Sequence, residues 1–466
     1  MEFIKRNYIY LTILIITTLL LRFYNLNFED LWFDELASLW ISDPSISLSD
    51  TINRNIEINQ GPHLVFTLTL KYFFLLFGYD PYIGKIVPAI FGILSVPTII
   101  YLTRMIDKNK SWLLVGFLIS INFYSISYSQ ELRSYSLVFF LCLMNLIFFL
   151  KVLEKNNFLY NLLFFLITLI AACNHIFIFI ILFSQSIFLL LFYRNKKNIF
   201  FILIINIFII FLSYLLIMHD SLVAQLAIKE FWIQQVKLDF FANYYFSRFF
   251  GSKIMGLIYL VSLVYLLFNQ KKILLKHSNK LCLFLLILIN SYFLPICYGF
   301  IGMPILTDRY IIFVLIPILI LISVLIFKLK NKKTRNTILI ILVLSSLTNN
   351  YIEIFERKNT KPEFKKSISF IEKSNSSNLV LADSIDLNNK LISNYIKLIN
   401  FENNQLNFYN NVDNFSQKNI WVMCYMPITE FTCNKPSKLS VNFIKKEEKI
   451  FDLLKIVFYE NVTFIN

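Results

Sequence analysis

The sequence lacks the motifs that carry nucleotide or metal chemistry. It has no Walker A loop, no Gly-x-Gly-x-x-Gly turn, no His-Glu-x-x-His helix and no Cys-x-x-Cys pair. Each motif works by a fixed geometry, backbone amides around phosphate or paired ligands around a metal. Their absence argues against nucleotide-driven transport within this chain and against a conventional nucleotide-sugar fold. Six cysteines are too few for a disulfide scaffold. Cys142, Cys173, Cys282 and Cys297 lie in apolar runs and read as packing residues. Cys424 and Cys433 flank a proline-containing turn and are either a disulfide outside the cytoplasm or two unpaired thiols. Histidine is scarce too, at four residues, and only 16% of the chain is charged.

What is abundant is apolar surface. Hydrophobic residues make up 57% of the 466 positions and the mean hydropathy is +0.63, against roughly 45–50% apolar in a soluble domain. The excess is gathered into runs of Leu, Ile and Phe separated by short basic clusters, the pattern of a multi-span membrane protein. The net charge of +15 sits mainly in those short loops and the C-terminal tail. It therefore reads as loop anchoring to the lipid bilayer and gives no sign of nucleic-acid binding. The run Tyr8–Leu21 follows Lys5 and Arg6 and is followed by Arg22, Phe23 and Tyr24 with no small-residue cleavage site. It reads as an uncleaved first span with a cytoplasmic N-terminus.

Further apolar runs cover 64–77, 86–103, 111–127, 135–150, 158–173, 176–192, 199–216, 254–268, 281–298, 310–327 and 336–350. Basic clusters at 104–110, 151–155, 194–197, 271–280 and 328–335 mark inner loops, each separated from the next by two runs. One run is then surplus between residues 23 and 104. The run 64–77 is the weakest: as a helix it reaches about 21 Å, short of a hydrocarbon core about 30 Å thick, and Lys71 sits in its middle. It is expected as an interfacial or re-entrant helix, leaving about eleven spans. The expected organisation is a transmembrane module over 1–350, with long outer loops at 23–85 and 217–253, and an extracytoplasmic domain over 351–466. Short hydrophobic stretches at 378–382 and 419–423, alternating with helix-like ones, make that tail a small α/β domain.

Polar residues collect on the outer side. The stretch 29–35 sets Asp34 and Glu35 side by side among aromatic residues just past the first span. Such carboxylates can act as general base or hold a divalent cation against phosphate; alternatively Asp34 starts the following helix. A Gly61-Pro62 turn follows Glu57 and presents His63, with His175 at the start of another span. A polar knot runs from Tyr128 to Tyr135 and contains Glu131 and Arg133, as an ion pair or as ligand-binding groups. Arg309 ends an outer turn beside Tyr310, where a planar guanidinium suits either a lipid phosphate or an interfacial anchor.

In order and spacing these pieces resemble the dolichyl-phosphate-mannose–protein mannosyltransferase-like group, the family 39 type of GT-C glycosyltransferases. Bacterial relatives in that group include the lipid A aminoarabinose transferase. The matching elements are the Leu-Trp-Phe-Asp-Glu stretch, Gly61 to Leu64, Phe77-Gly78 with Lys85 through Gly92, Tyr128 to Tyr135, and Asp308-Arg309-Tyr310 with Pro317. The resemblance implies an α-helical polytopic fold in the bacterial cytoplasmic membrane with juxtamembrane helices outside. It also implies a polyprenyl-phosphate sugar donor and a protein, lipid A or glycan acceptor. By carry-over Asp34 is the catalytic acidic residue with Glu35 beside it. Arg133, Arg309 and Lys85 face the donor phosphate; Glu57, His63, Glu131 and Tyr128 shape the pocket; His175 and Glu131 are candidate ligands if a divalent metal takes part. Two departures stand out, Gly61-Pro62-His63-Leu64 in place of Pro-Pro-Leu and Lys85 in place of arginine, which loses the bidentate fork. A lipid-linked glycan flippase and an O-antigen polymerase or ligase, the latter through Arg248, are the competing readings.

Overall fold

Leucine, isoleucine and phenylalanine dominate the long runs, and those runs fold as helices. The computed structural model describes residues 2–59, 63–227, 233, 235–236, 245–271, 279–374, 379–381, 386–399, 407–408, 419–425 and 442–462. In chain order the helices are α1 (Glu2–Phe23), α2 (Phe33–Ile41), α3 (Leu48–Asn59), α4 (Leu64–Phe77), α5 (Pro81–Ile106), α6 (Ser111–Ser120), α7 (Phe123–Gln130) and α8 (Tyr135–Glu154). They continue with α9 (Phe158–Asn174), α10 (Ile178–Phe192), α11 (Lys197–Ile217), α12 (His219–Leu226), α13 (Tyr245–Phe250), α14 (Lys253–Asn269) and α15 (Asn279–Ile301). A 3-10 turn, Arg309–Val314, leads into α16 (Leu315–Phe327), followed by α17 (Lys332–Phe355).

The protein is an α-helical polytopic membrane protein with a small C-terminal sheet. Among the described residues, six helices are long and apolar enough to cross a bilayer, or seven if α6 and α7 form one bent span. Five more apolar helices are shorter, at Asn7–Phe23, Leu64–Phe77, Phe158–Asn174, Ile178–Phe192 and Lys253–Asn269. The expected figure of about eleven spans therefore depends on four of these shorter helices also crossing.

The chain divides into two compact units that do not follow chain order. One comprises Met1–Tyr24, Ile52–Thr69 and Ile86–Arg357; the other comprises Asn25–Thr51, Leu70–Lys85 and Lys358–Asn466. In this division part of the segment 25–85 belongs with residues 358–466.

In the helical unit, α16 is apolar all round and almost wholly buried, whereas α11 is nearly as apolar and largely exposed. An apolar helix can do either in lipid, because tails are as apolar as leucine. The bend between α6 and α7 is 49°, and its freed backbone groups must find partners without water. Arg22, fully buried, donates to Ser120 O at 3.1 Å, Ile119 O at 3.3 Å and Ser125 Oγ at 3.1 Å. Asn350 donates to Ile121 O. Asn122 caps α7 by accepting from Ser125 N and donates to Phe249 O at 2.8 Å. At the other end of α7, Gln130 Nε2 donates to Leu21, Arg22 and Tyr24 carbonyls, the open end of α1.

In the second unit a five-stranded sheet has the order β2-β1-β3-β5-β4, with β1 (Leu379–Leu381), β2 (Asn407–Phe408), β3 (Asn419–Tyr425), β4 (Phe443–Phe451) and β5 (Leu454–Asn461). β1 pairs in parallel with β2 and β3, and the remaining pairs are antiparallel. Leu381, Ile420, Val422, Phe443, Val457 and Tyr459 form an apolar cluster across its strands. Helices α18 (Phe364–Ser374) and α19 (Asp386–Leu398) complete the α/β fold of the tail. Cys424 is disulfide-bonded, and Cys433 lies outside the described residues.

Candidate functional site

In the helical unit, polar side chains from separate helix ends converge. His63, just ahead of α4, has its Nδ1 2.8 Å from Ser134 Oγ in the turn between α7 and α8. Its ring meets that of His175, the residue ending α9, edge to face at 5.7 Å, and His175 in turn meets Tyr310 at 5.1 Å. Phe177 N donates to His175 Nδ1 at 3.3 Å, which makes the other ring nitrogen, Nε2, the protonated one. Arg133 and Arg309 flank the pair, their guanidinium carbons each 5.9 Å from the ring centres of Tyr135 and Tyr310. Arg133 is buried and Arg309 half-buried. Tyr128 packs edge to face against Tyr124 at 4.5 Å and Tyr135 at 5.0 Å.

The electrostatics of this group are positive. Burial, followed by the charges of Arg133 and Arg309, pushes His175 down to about 3. His63 is held well below the usual histidine range by burial, Arg133, His175 and Arg309. Both rings are therefore neutral at neutral pH and present N–H groups, with the arginines carrying the charge. A dication would meet the same positive field. Among the described residues no three His, Cys, Asp or Glu side chains gather. Glu57 is exposed on α3 and is not brought into this group. Gly61 and Pro62 lie outside the described residues. Arg248, on which the ligase-like reading relies, is half exposed and pairs with Asp308 at 3.3 Å.

The acidic stretch belongs to the second unit. Trp32, not Asp34, is the N-cap of α2, and Asp34 and Glu35 fall in its first turn, where negative charge complements the helix dipole. Glu35 is fully buried. Its Oε2 accepts from Trp32 N at 3.2 Å and from Lys361 Nζ at 2.6 Å. Such a carboxylate is fixed in place, so the structure gives Glu35 a holding role in place of the catalytic one expected beside Asp34. Asp34 itself is half-buried.

Lys85 also differs from expectation. Its Nζ is buried and donates to Leu26 O at 3.3 Å and Glu29 O at 2.8 Å, closing the chain between α1 and α2. An ammonium held by two carbonyls is not presented to a phosphate. Lys71 behaves similarly, donating to Asp43 O and Ile46 O at 2.7 Å each. This explains how a charge sits in the middle of α4.

Sequence reasoning missed the tail residues around this stretch. Thr360 donates to Glu29 Oε1 through N at 2.8 Å and through Oγ1 at 2.9 Å. Lys365 N donates to Asp30 Oδ2 at 3.0 Å, and Tyr395 donates its hydroxyl to Asp30 Oδ1 at 2.9 Å. Burial and the Asp30 carboxylate hold the Tyr395 phenol well above its usual range, so it remains a donor.

No family model and no curated relative matches the sequence. Solved structures do match in fold. ArnT from Cupriavidus metallidurans bound to undecaprenyl phosphate aligns with a TM-score of 0.58 at 10% identity, over 96% of this chain and 97% of that one. The apo form of ArnT gives 0.54 at 11% identity, covering 75% of this chain and 65% of that one. The archaeal oligosaccharyltransferase AglB from Archaeoglobus fulgidus, in complex with an inhibitory peptide and a dolichol-phosphate, gives 0.52 at 12% identity, over 80% and 59%. The chain thus spans less than two thirds of apo ArnT and of AglB, and nearly all of ArnT in its lipid-bound form. It has the GT-C fold that these transferases share.

Proposed function

We propose that this chain is a membrane glycosyltransferase that takes a hexose or pentose from a polyprenyl-phosphate-linked donor. The observation that carries the reading is the convergence of Arg133 and Arg309 on two neutral histidines. Two guanidinium groups beside neutral N–H donors suit a phosphate monoanion or dianion. Support comes also from the fold shared with ArnT bound to undecaprenyl phosphate and with AglB bound to dolichol-phosphate.

In this reading Arg133 and Arg309 take the lipid phosphate, with the His175 Nε2–H as a further donor. Asp34 is the base. It removes the proton of an acceptor hydroxyl or amine as the acceptor's lone pair forms the new bond to the anomeric carbon. The old bond from that carbon to the phosphate oxygen breaks in the same displacement, and its electron pair leaves on the phosphate. Attack opposite the leaving group inverts the anomeric centre. Phosphate is already a good leaving group, so positioning and charge stabilisation supply most of the acceleration. The N-terminus is cytoplasmic, and the acidic loop and the C-terminal domain lie outside the cytoplasmic (inner) membrane, where a protein, lipid A or a glycan serves as acceptor.

The test is mass spectrometry of surface glycans, glycoproteins and lipid A from a deletion strain complemented with wild type or Asp34→Asn. The expected result is a missing sugar restored by wild type alone, with the Asn variant present in the membrane at normal level. Normal glycans in the Asp34→Asn strain would remove Asp34 from the mechanism. Accumulated lipid-linked sugar on the inner leaflet with no change in transfer chemistry would mark a flippase instead.

A further inference from the structure

We infer that the segment following α17 is a strap that holds α2 in its working position, with Lys361 as the positioning residue. The inference rests on the reading of Asp34 as base, because Asp34 is what α2 carries.

Within the second unit, three of the four carboxylates between residues 29 and 35 are bound by this short segment, the first turn of α18 and α19. Glu29 accepts from Thr360, Glu35 from Lys361, and Asp30 from Lys365 N and Tyr395, with Lys365 Nζ 3.3 Å from Asp30. Thr360 and Lys361 lie on the segment and Lys365 follows in the first turn of α18, so six residues of chain reach Glu29, Glu35 and Asp30. The far side of the strap is tied as well: Asn359 Nδ2 donates to Asp452 Oδ2 at 2.8 Å, in the turn joining β4 and β5. The sheet, the strap and the first turn of α2 are therefore one hydrogen-bonded series. Asn394 on α19 donates to the Tyr79 hydroxyl at 2.9 Å, and Tyr79 donates to Leu39 O at 3.0 Å, near the other end of α2.

The ion pair at the centre is not explained by stability. The Lys361 and Glu35 side chains are 10% and 0% exposed, and a pair this deep repays its desolvation only with good geometry. An apolar pair of similar volume would serve packing as well or better. What the pair adds is direction. Glu35 is bound to the N-cap of its own helix and to Lys361 at once, which fixes both the axial rotation and the start of α2, and with them the adjacent Asp34. Displacing a reacting group by about 1 Å can cost on the order of a hundredfold in rate. A loop of 25–51 held only by its own turns would not give that precision.

The full-length protein in detergent or proteoliposomes tests this with Lys361→Met, Lys361→Arg and the double variant Lys361→Met/Glu35→Leu. Two readouts are followed: hydrogen exchange of the peptide over residues 29–41, and transfer from a synthetic polyprenyl-phosphate sugar, split into kcat and donor KM. Lys361→Met is expected to speed exchange over 29–41 and to lower kcat about tenfold or more with donor KM little changed. Lys361→Arg, which keeps charge and donors, should restore most of both. The double variant removes both buried charges, and with Glu35 the acceptor for Trp32 N, and is expected to keep the low kcat. Wild-type kcat in the double variant would make the pair a packing feature and overturn the inference, as would unchanged exchange in Lys361→Met. Asp34→Asn run alongside separates the two ideas: if it transfers normally, the proposed base fails, and the exchange result alone decides the strap.

Discussion

His63 Nδ1 and the Ser134 hydroxyl lie 2.8 Å apart across a sequence separation of 71 residues. That bond joins the start of α4 to the turn between α7 and α8, and it sits where His175, Arg133 and Arg309 also meet. A histidine so placed cannot accept a proton without adding a third positive charge to two guanidinium groups.

A pH dependence of stability follows. In the unfolded chain each histidine titrates near its ordinary value of about 6.5. In the folded chain His175 is pushed down to about 3, and His63 well below its ordinary value. Between those limits the unfolded state binds protons that the folded state does not. Stability is therefore complete above about pH 6.5 and falls as pH drops toward 3, by up to about 1.4 kcal/mol per pH unit for each histidine. Thermal unfolding midpoints in detergent between pH 7.5 and 4.5 measure the slope. His175→Gln should flatten it, and an identical slope in that variant would show that the acid sensitivity arises elsewhere.

The arginines make a second expectation. Arg133→Lys keeps the charge and loses the planar fork that binds two phosphate oxygens at once. Removing one charge-assisted hydrogen bond costs about 1.5–3 kcal/mol, so kcat/KM for the lipid-linked donor should fall roughly tenfold to a hundredfold. Since His63 and His175 are depressed by the same guanidinium, Arg133→Ala should also raise both histidine titrations. NMR of the imidazoles or the pH profile of stability reports that shift without an activity assay. If Arg133→Lys leaves donor kinetics untouched, the phosphate is bound elsewhere.

Much of this arrangement was legible in the sequence, for identifiable reasons. The apolar runs became helices because a bilayer leaves the backbone no other way to satisfy itself. The hydrophobic stretches at 378–382 and 419–423 became β1 and β3 because burial in a sheet core needs only three to seven residues. The knot at 128–135 and the turn at 308–310 came together with His63 and His175 because each sits at a helix end. The tail contacts were not legible, since a partner more than 320 residues away leaves no local signature. One signal was present. Arg357, Lys358, Lys361, Lys365 and Lys366 form a basic cluster on the side assigned as outer, against the charge rule used for every other loop. Cations out of place by that rule call for carboxylate partners, and 29–35 is the densest supply in the chain. The roles of Lys85 and Lys71 were hidden differently. Both ammonium groups bind backbone carbonyls, and a carbonyl has no sequence identity to read.

The bend between α6 and α7 gives the last expectation. Gly92, on α5, lies against α7 so closely that an added Cβ would stand 2.7 Å from Ser129 Cβ and 3.1 Å from Arg22 Nε. The Ser129 hydroxyl could rotate away; its Cβ moves only with the backbone of α7. Gly92→Ala must therefore push α5 from α7 or displace Arg22, the side chain that satisfies the carbonyls freed at the bend. Overpacking of this kind costs about 1–3 kcal/mol, which should appear as a lower unfolding midpoint in detergent. Ser129→Gly removes the opposing Cβ at a helix-propensity cost of about 0.5 kcal/mol. Combined with Gly92→Ala it should bring the midpoint above that of Gly92→Ala alone. If the double variant is instead the sum of two losses, the contact between α5 and α7 is slack, and Arg22 is held by its carbonyls without help from Gly92.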